Sequence, residues 1–202
     1  MNSQCLYDKG EESWPAKLHI GCGGVYLRGY KNVDMMGVYA DVNRELAIAN
    51  ETDVIDYYAR LDGTPDNLPK RRQTVVDEIS DIARLQYRNE SVDKILGVQV
   101  FEHLSPARAI AALGNWRSIL KRLGVLILSV PDMAQTVAMI KSDGDFAMRH
   151  MLGRDGDLLN SHKAWYTPET LTELLSYRGF SHIEQLTNFH FYPAIVVRAL
   201  KV

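Results

Sequence analysis

The stretch from Lys17 to Asp34 constrains this chain more than any other. A short apolar strand, Lys17-Leu18-His19-Ile20, runs into a glycine turn, Gly21-Cys22-Gly23-Gly24. A second short strand, Asn32-Val33-Asp34, then ends in a carboxylate. That order suits a nucleotide site at the edge of a parallel sheet. Glycines there let the backbone turn sharply and approach a ligand. Asp34, at the carboxyl end of its strand, can accept hydrogen bonds from two neighbouring ribose hydroxyls. Only 13 positions separate Gly21 from Asp34. A dinucleotide fingerprint expects roughly 20, because a full crossover helix lies between the strands. Position 26 is Tyr26, where that fingerprint needs its third glycine. A ribose-and-adenine ligand without a pyrophosphate therefore fits better than a dinucleotide. Taken alone, the segment reads equally well as a plain glycine turn with a surface aspartate.

Further along, strand and helix patterns alternate. Thr74 to Ile79 reads as a third strand and Lys94 to Val98 as a fourth. A helix follows, with Ser105 as N-cap, Pro106 in its first turn and Gly124 past its end. Its expected apolar face is Ile110, Leu113, Trp116, Ile119 and Leu120. Val125 to Val130 is a buried-strand run. Met133 to Ile140 has helical character, and Ser142 to Ser161, rich in Gly and Asp, reads as loops. Thr167-Pro168 starts another helix, with Leu171, Leu174 and Leu175 inward and Gly179 as its stop. Two closing strands, Ser181 to Leu186 and Phe189 to Leu200, are joined by a hairpin-like turn at Thr187-Asn188. Asp53 to Leu61 has a helical apolar face, and Lys70-Arg71-Arg72 reads as a solvated loop. The whole predicts one α/β domain over residues 1–202 built on a doubly wound sheet. Residues 1–16 form a lead-in, and 36–72 and 133–166 are candidate lid or substrate segments.

The motifs Leu18-His19-Ile20-Gly21-Cys22-Gly23 and Gly29-Tyr30-Lys31-Asn32-Val33-Asp34 resemble those of the class I S-adenosylmethionine-dependent methyltransferases. The resemblance is to small predicted methyltransferases with a short first crossover. It covers roughly Lys17 to the C-terminus. It implies a seven-stranded Rossmann-like sheet of order 3-2-1-4-5-7-6 with strand 7 antiparallel. The wider superfamily has an acidic residue where His19 stands. The resemblance implies S-adenosylmethionine as cofactor and S-adenosylhomocysteine as product. It assigns Gly21, Cys22 and Gly23 to the cofactor turn and Asp34 to the ribose. Asp81 would accept from the adenine amino group, with the Ile82 N–H meeting the ring; the alternative is that Asp81 caps the turn before Leu85, and its place beside Asp34 favours the cofactor role. Met35 can cover the other adenine face, and Gln99, closing the fourth strand, joins the cofactor set.

Val100-Phe101-Glu102-His103-Leu104 resembles the Val-Leu-Glu-His-Leu motif of the same family. Glu102 and His103 form a hydrogen-bonded pair beneath the cofactor, or His103 faces the substrate, or His103 is a structural histidine, the reading the sequence favours. His162, in His162-Lys163-Ala164-Trp165, is either a base for a hydroxyl nucleophile or a loop anchor. His162 and His103 are thus the catalytic candidates. The implied reaction is methylation of a small-molecule or sugar-containing acceptor, at oxygen. The competing readings are a non-catalytic nucleotide-binding module and a nicotinamide oxidoreductase.

Absences narrow the field. No Asn/Asp-Pro-Pro-Tyr/Phe or Pro-Cys motif follows the fourth strand, which disfavours chemistry on DNA bases. No His/Cys cluster has zinc spacing and no magnesium set is readable, so no metal is expected. A net charge of −2 gives no nucleic-acid footprint. Two distant cysteines, Cys5 and Cys22, make no disulfide framework, and no apolar run has membrane-spanning length. These features lead us to expect a cytoplasmic protein.

Overall fold

The computed structural model describes residues 17–27, 29–39, 48–49, 74–153, 157–190 and 192–202. The lead-in, the helix expected at 53–61, the basic run at 70–72 and most of the segment 36–72 lie outside the described residues.

Seven strands form one mixed sheet. They are β1 (Lys17–Ile20), β2 (Lys31–Asp34), β3 (Glu78–Ile79), β4 (Val92–Val98), β5 (Leu120–Pro131), β6 (Phe180–Leu186) and β7 (Ala194–Lys201). Their spatial order is 3-2-1-4-5-7-6, and β7 alone runs antiparallel to its neighbours. This is the α/β topology expected of a class I methyltransferase. β1 sits at the centre, with Ile20 level with Val33 of β2 and Gly97 of β4. Central strands covered on both faces need apolar side chains pointing both ways. Ile95 accordingly joins the main core with Leu18, Ile20, Leu113 and Trp116, while Leu96 and Val98 join Val25, Leu27 and Tyr30 on the other face.

Asn32 and Asp77 hold the short first crossover among the described residues. Asn32 is fully buried. Its Oδ1 accepts from the Leu27 N–H at 2.9 Å, and its Nδ2 donates to the carbonyls of Leu27 at 3.0 Å and Tyr30 at 3.1 Å. Nδ2 also donates to Asp77 Oδ2 at 3.1 Å, and Oδ1 meets His19 Nδ1 at 3.1 Å. Asp77 further accepts from the Asn32 backbone N–H at 2.7 Å and from the Tyr26 hydroxyl at 2.6 Å. The third strand expected at Thr74–Ile79 is therefore broken at Asp77. Val75–Val76 pairs with Val38–Tyr39, and Glu78–Ile79 pairs with β2. His19 is buried in this network, and burial lowers its pKa to about 4.

Four helices complete the described chain: α1 (Pro106–Ile119), α2 (Met133–Ala138), α3 (Gly144–Leu152) and α4 (Pro168–Tyr177). α4 begins in a capping box between Thr167 and Thr170, buries Leu171 and Leu175, and is followed by Gly179 at φ +83°, as its sequence implies. Four expectations are corrected. α1 ends at Ile119, not before Gly124, because Leu120 already enters β5; a register shift opposite Val92–Lys94 and a left-handed Leu123 absorb the extra residues. Its inward face uses Ala109 and Ala112 rather than Ile110, which is 42% exposed. Ser142 to Ser161 is not all loop, since Asp143 caps α3 through the Phe146 N–H at 3.0 Å and Gly153, at φ +71°, stops it. β7 starts at Ala194, not Phe189, because Asn188 folds the connection onto itself by binding the His190 N–H and the Tyr192 carbonyl. Among the described residues no helix is long and apolar enough to cross a membrane.

Candidate functional site

The carboxyl ends of β1, β2, β3 and β4 share one edge of the sheet, the edge where open α/β sheets bind ligands. At the end of β1 the backbone turns through Gly21 at φ +60° and Gly23 at φ +53°. The Gly21 N–H donates to the Val33 carbonyl at 2.8 Å, and a Cβ on Gly21 would run into the Val100 side chain. Gly23 faces open space, and its N–H donates to Asp34 Oδ2 at 2.9 Å. Asp34 Oδ1 accepts from the Met36 N–H at 3.2 Å. Each carboxylate oxygen is thus fixed by one backbone donor. A carboxylate has about four acceptor positions, so both oxygens retain capacity for hydroxyl donors. That arrangement fits the ribose of a bound nucleoside. Met35, beside it, is 42% exposed and adaptable.

Cys22 contributes only backbone. Its side chain is buried, its thiol points to the Val75 carbonyl at 3.8 Å, and burial pushes its pKa upward. A thiol in that state is no nucleophile.

Asp81 follows β3. Its Oδ1 caps a short 3-10 helix at Ile82–Arg84 through the Ala83 N–H at 3.0 Å, and also accepts from Arg108 at 2.6 Å. The turn-capping role is therefore present. The Ile82 side chain is in the core, and its carbonyl accepts from Trp116 Nε1 at 2.7 Å. Gln99 holds a left-handed backbone at φ +51°, unusual for a residue with a side chain. Its N–H donates to the Ser129 carbonyl at 2.8 Å, and its amide reaches Ser129 Oγ at 3.2 Å. This strained residue sets the direction in which the chain leaves β4.

Beyond Gln99, Phe101–His103 forms a second 3-10 helix. Phe101 is buried and stacks on Tyr166, with ring centroids 5.3 Å apart. The segment after α3 is sewn to this turn. The N–H groups of Lys163 and Ala164 both donate to the Glu102 carbonyl, at 2.8 and 3.2 Å. Lys163 Nζ donates to the His103 carbonyl at 3.0 Å, and His103 Nδ1 meets the Ser161 carbonyl at 3.1 Å. His103 and His162 consequently stand together, with ring centroids 4.9 Å apart. Glu102 Oε1 lies 4.0 Å from His103 Nε2 and 3.9 Å from His162 Nε2. Those separations are too long for hydrogen bonds, so Glu102 and His103 do not form the hydrogen-bonded pair considered from sequence.

Burial dominates the electrostatics here. It raises the Glu102 carboxyl to about 8, so that group is protonated at neutral pH. Burial, reinforced by His103 and His150, lowers His162 to about 4. His103 is lowered for the same reason. Both imidazoles are therefore neutral.

Two further histidines were not singled out in the sequence. His150 meets Thr136 Oγ1 at 2.8 Å through Nδ1, and His190 meets Ser129 Oγ at 2.7 Å through Nε2. Tyr192 packs against both rings. His150 lies in the segment read as loop, and His190 in the segment read as strand, so neither stood out. Trp165 is half-exposed and tied to the Met151 carbonyl at 2.8 Å.

No protein-family model matches the chain, and no curated protein matches it. Solved structures do. A methyltransferase from Thermotoga maritima, dependent on S-adenosylmethionine, aligns over 98% of this chain and 85% of its own, with 16% identity and a TM-score of 0.51. A second from Methanosarcina mazei aligns over 92% of each chain, with 17% identity and a TM-score of 0.52. The carbon methyltransferase CurJ aligns over 92% of this chain and 48% of its own, with 14% identity and a TM-score of 0.50. At such identities the likeness shows the fold, that of the class I methyltransferases.

Proposed function

We propose that this chain, with its class I methyltransferase fold, is an S-adenosylmethionine-dependent methyltransferase. In this reading the acceptor is a small molecule or a sugar-containing compound, methylated at oxygen. The observation that carries the proposal is the Asp34 carboxylate, pinned by the Gly23 and Met36 N–H groups beside an open glycine turn. When bound, S-adenosylmethionine supplies an electrophilic methyl group on a sulfonium that is its own leaving group.

The chain's residues bind, orient and exclude water. Gly21 and Gly23 shape the turn, and Asp34 takes the ribose hydroxyls. Met35 covers one adenine face, with Asp81 and the Ile82 N–H at the ring edge. Gln99 directs the chain toward the acceptor end. Orientation of this kind can supply about 7–11 kcal/mol of a barrier. His103 and His162 are the acceptor-handling groups. A lone imidazole lowered to about 4, as His162 is, is a weak base at neutral pH. We therefore assign the two histidines a joint role toward an acceptor hydroxyl. The half-exposed Trp165 offers an aromatic face suited to a ring-shaped acceptor.

Calorimetry with S-adenosylmethionine and S-adenosylhomocysteine tests the cofactor, and saturable heat with both is expected. Absence of binding at millimolar ligand rejects the proposal, and saturable NAD binding in its place favours an oxidoreductase. Transfer of labelled methyl groups to sugar nucleotides or glycans tests the acceptor class.

A further inference from the structure

We infer that Glu102, His103 and His162 form a binding site for one divalent transition-metal ion of the zinc type, with a coordination position left open. One ligand atom from each residue lies within 4.8 Å of the others. Glu102 Oε1 is 4.0 Å from His103 Nε2 and 3.9 Å from His162 Nε2. An ion at the centre of such a triangle is about 2.4 Å from each atom, against about 2.0–2.2 Å for zinc bound to nitrogen or carboxylate oxygen.

The Glu102 side chain is an independent pointer. It is 1% exposed, and neither of its oxygens has a hydrogen-bond partner among the described residues. Buried carboxyls are ordinarily paired, hydrogen-bonded or on a metal. This one aims Oε1 between two imidazole nitrogens. The backbone around it, by contrast, is well bonded, with the Glu102 carbonyl accepting two N–H groups. The orphan oxygens thus belong to a well-held residue, not to a loosely placed one.

His103 has the form of a ligand. His103 Nδ1 donates to the Ser161 carbonyl at 3.1 Å, which leaves the Nε2 lone pair facing Glu102. A metal-bound histidine usually has its other nitrogen held in this way. His162 is placed through its backbone N–H on the Leu152 carbonyl at 2.9 Å, while its ring Nδ1 is buried with no hydrogen-bond partner among the described residues. Two imidazoles and one carboxylate are a donor set for zinc or a neighbouring transition ion. Three protein donors leave room for an exogenous oxygen, the pattern of a catalytic site rather than a structural one. The existence of the site is independent of the function proposed above. Its use, holding the acceptor oxygen, rests on that reading.

The test is titration of the chelator-treated, full-length protein with Co²⁺ and Zn²⁺. One ion per chain is expected, with visible Co²⁺ bands of a four- or five-coordinate nitrogen and oxygen site. Glu102→Gln and His103→Gln should each weaken Co²⁺ binding by more than about 100-fold, since loss of an outer-shell partner alone costs about 10–100-fold. His182→Ala, at an exposed histidine on β6, should change nothing. No stoichiometric uptake by the wild type, or variants that bind as tightly as wild type, overturns the inference. If the variants do not fold, X-ray absorption of the zinc-loaded wild type decides. Two imidazoles and one carboxylate oxygen uphold the site; oxygen-only or sulfur coordination rejects it. Calorimetry with S-adenosylhomocysteine on the same preparations separates the two claims. Cofactor binding without metal uptake sinks only the metal site, and metal uptake without cofactor binding sinks only the methyltransferase reading.

Discussion

The two ends of the proposed site are built in opposite ways. At the β1–β2 end, the key polar side chains have partners inside the protein, and Asp34 keeps spare acceptor capacity besides. Asn32 satisfies its donors and acceptor inside the protein, and the Asp34 oxygens each take a backbone N–H. At the β4 end, polar groups are held in place yet left short of partners. Glu102 is buried with two orphan oxygens between neutral imidazoles. The first region therefore spends its polarity on keeping a shape. The second keeps reactivity in reserve. Substitutions should expose this contrast, with stability moving at one end and turnover at the other.

The largest expected effect is on turnover. His162→Ala should lower the rate about 100- to 10,000-fold, the range for loss of a proton-handling group, with cofactor affinity unchanged. Single-turnover kinetics check this once an acceptor is known. His162→Asn sharpens it, because the amide preserves an anchoring hydrogen bond and little else. A fully active Asn variant removes His162 from the chemistry and leaves His103.

Next comes stability. Asn32→Ala strips partners from the Leu27 backbone, the Tyr30 carbonyl, Asp77 and His19 at once. Leaving such groups buried and unbonded should cost on the order of 3 kcal/mol. Denaturant unfolding measures it, and a loss below about 1 kcal/mol, the net of one ordinary hydrogen bond, would show that the hub matters little.

Asp34→Ala should act on affinity. Hydrogen bonds to a charged group contribute roughly 1.5–3 kcal/mol, or about 10- to 150-fold in cofactor affinity. A folded variant with wild-type affinity sinks the ribose assignment.

The smallest effect is a pH slope. The folded pKa of Glu102, about 8, is above the ordinary glutamate value. Its contribution to stability is complete below the unfolded pKa and is lost as pH rises through about 8. His162, His19 and His190 are shifted the other way, to about 4, 4 and 3, so they destabilise the fold as pH falls below about 6.5. Above that point Glu102 dominates. Stability should decline by about 1–2 kcal/mol between pH 6.5 and 8, and Glu102→Gln should flatten that limb. Urea midpoints across this range provide the measurement.

The same contrast explains what could be read from the sequence. The glycine turn and Asp34 lie 13 positions apart, so local spacing displays them. Alternating strand and helix patterns point to a doubly wound sheet, and the strand order is implied by the resemblance of the glycine-turn motifs to class I methyltransferases. Glu102 and His162 are 60 positions apart, and only the β5 crossover brings them together. Metal-ligand spacing rules look for neighbours in sequence and pass over such a pair. α3 was hidden because a single alanine, Ala147, is its buried side chain, so its signal lies in the Asp143 cap and Gly153 stop. Gly124 misled in the opposite sense. It occupies a crowded turn against the Lys121 carbonyl inside the β5 entry and not the end of α1. His19 has a role only the folded chain displays, as a buried partner of Asn32.

The Asn32 hub also has a bearing on inheritance. A crossover helix spreads its hold over many residues, and most single changes within it are absorbed. Here one amide carries most of that task among the described residues, with Asp77 beside it. Lineages that keep the short crossover cannot vary residue 32 on its own. A change there needs a simultaneous answer at Asp77 or His19, the side chains it bonds. Drift at these positions should be correlated among descendants, while the exposed faces of α1 and α4 wander independently.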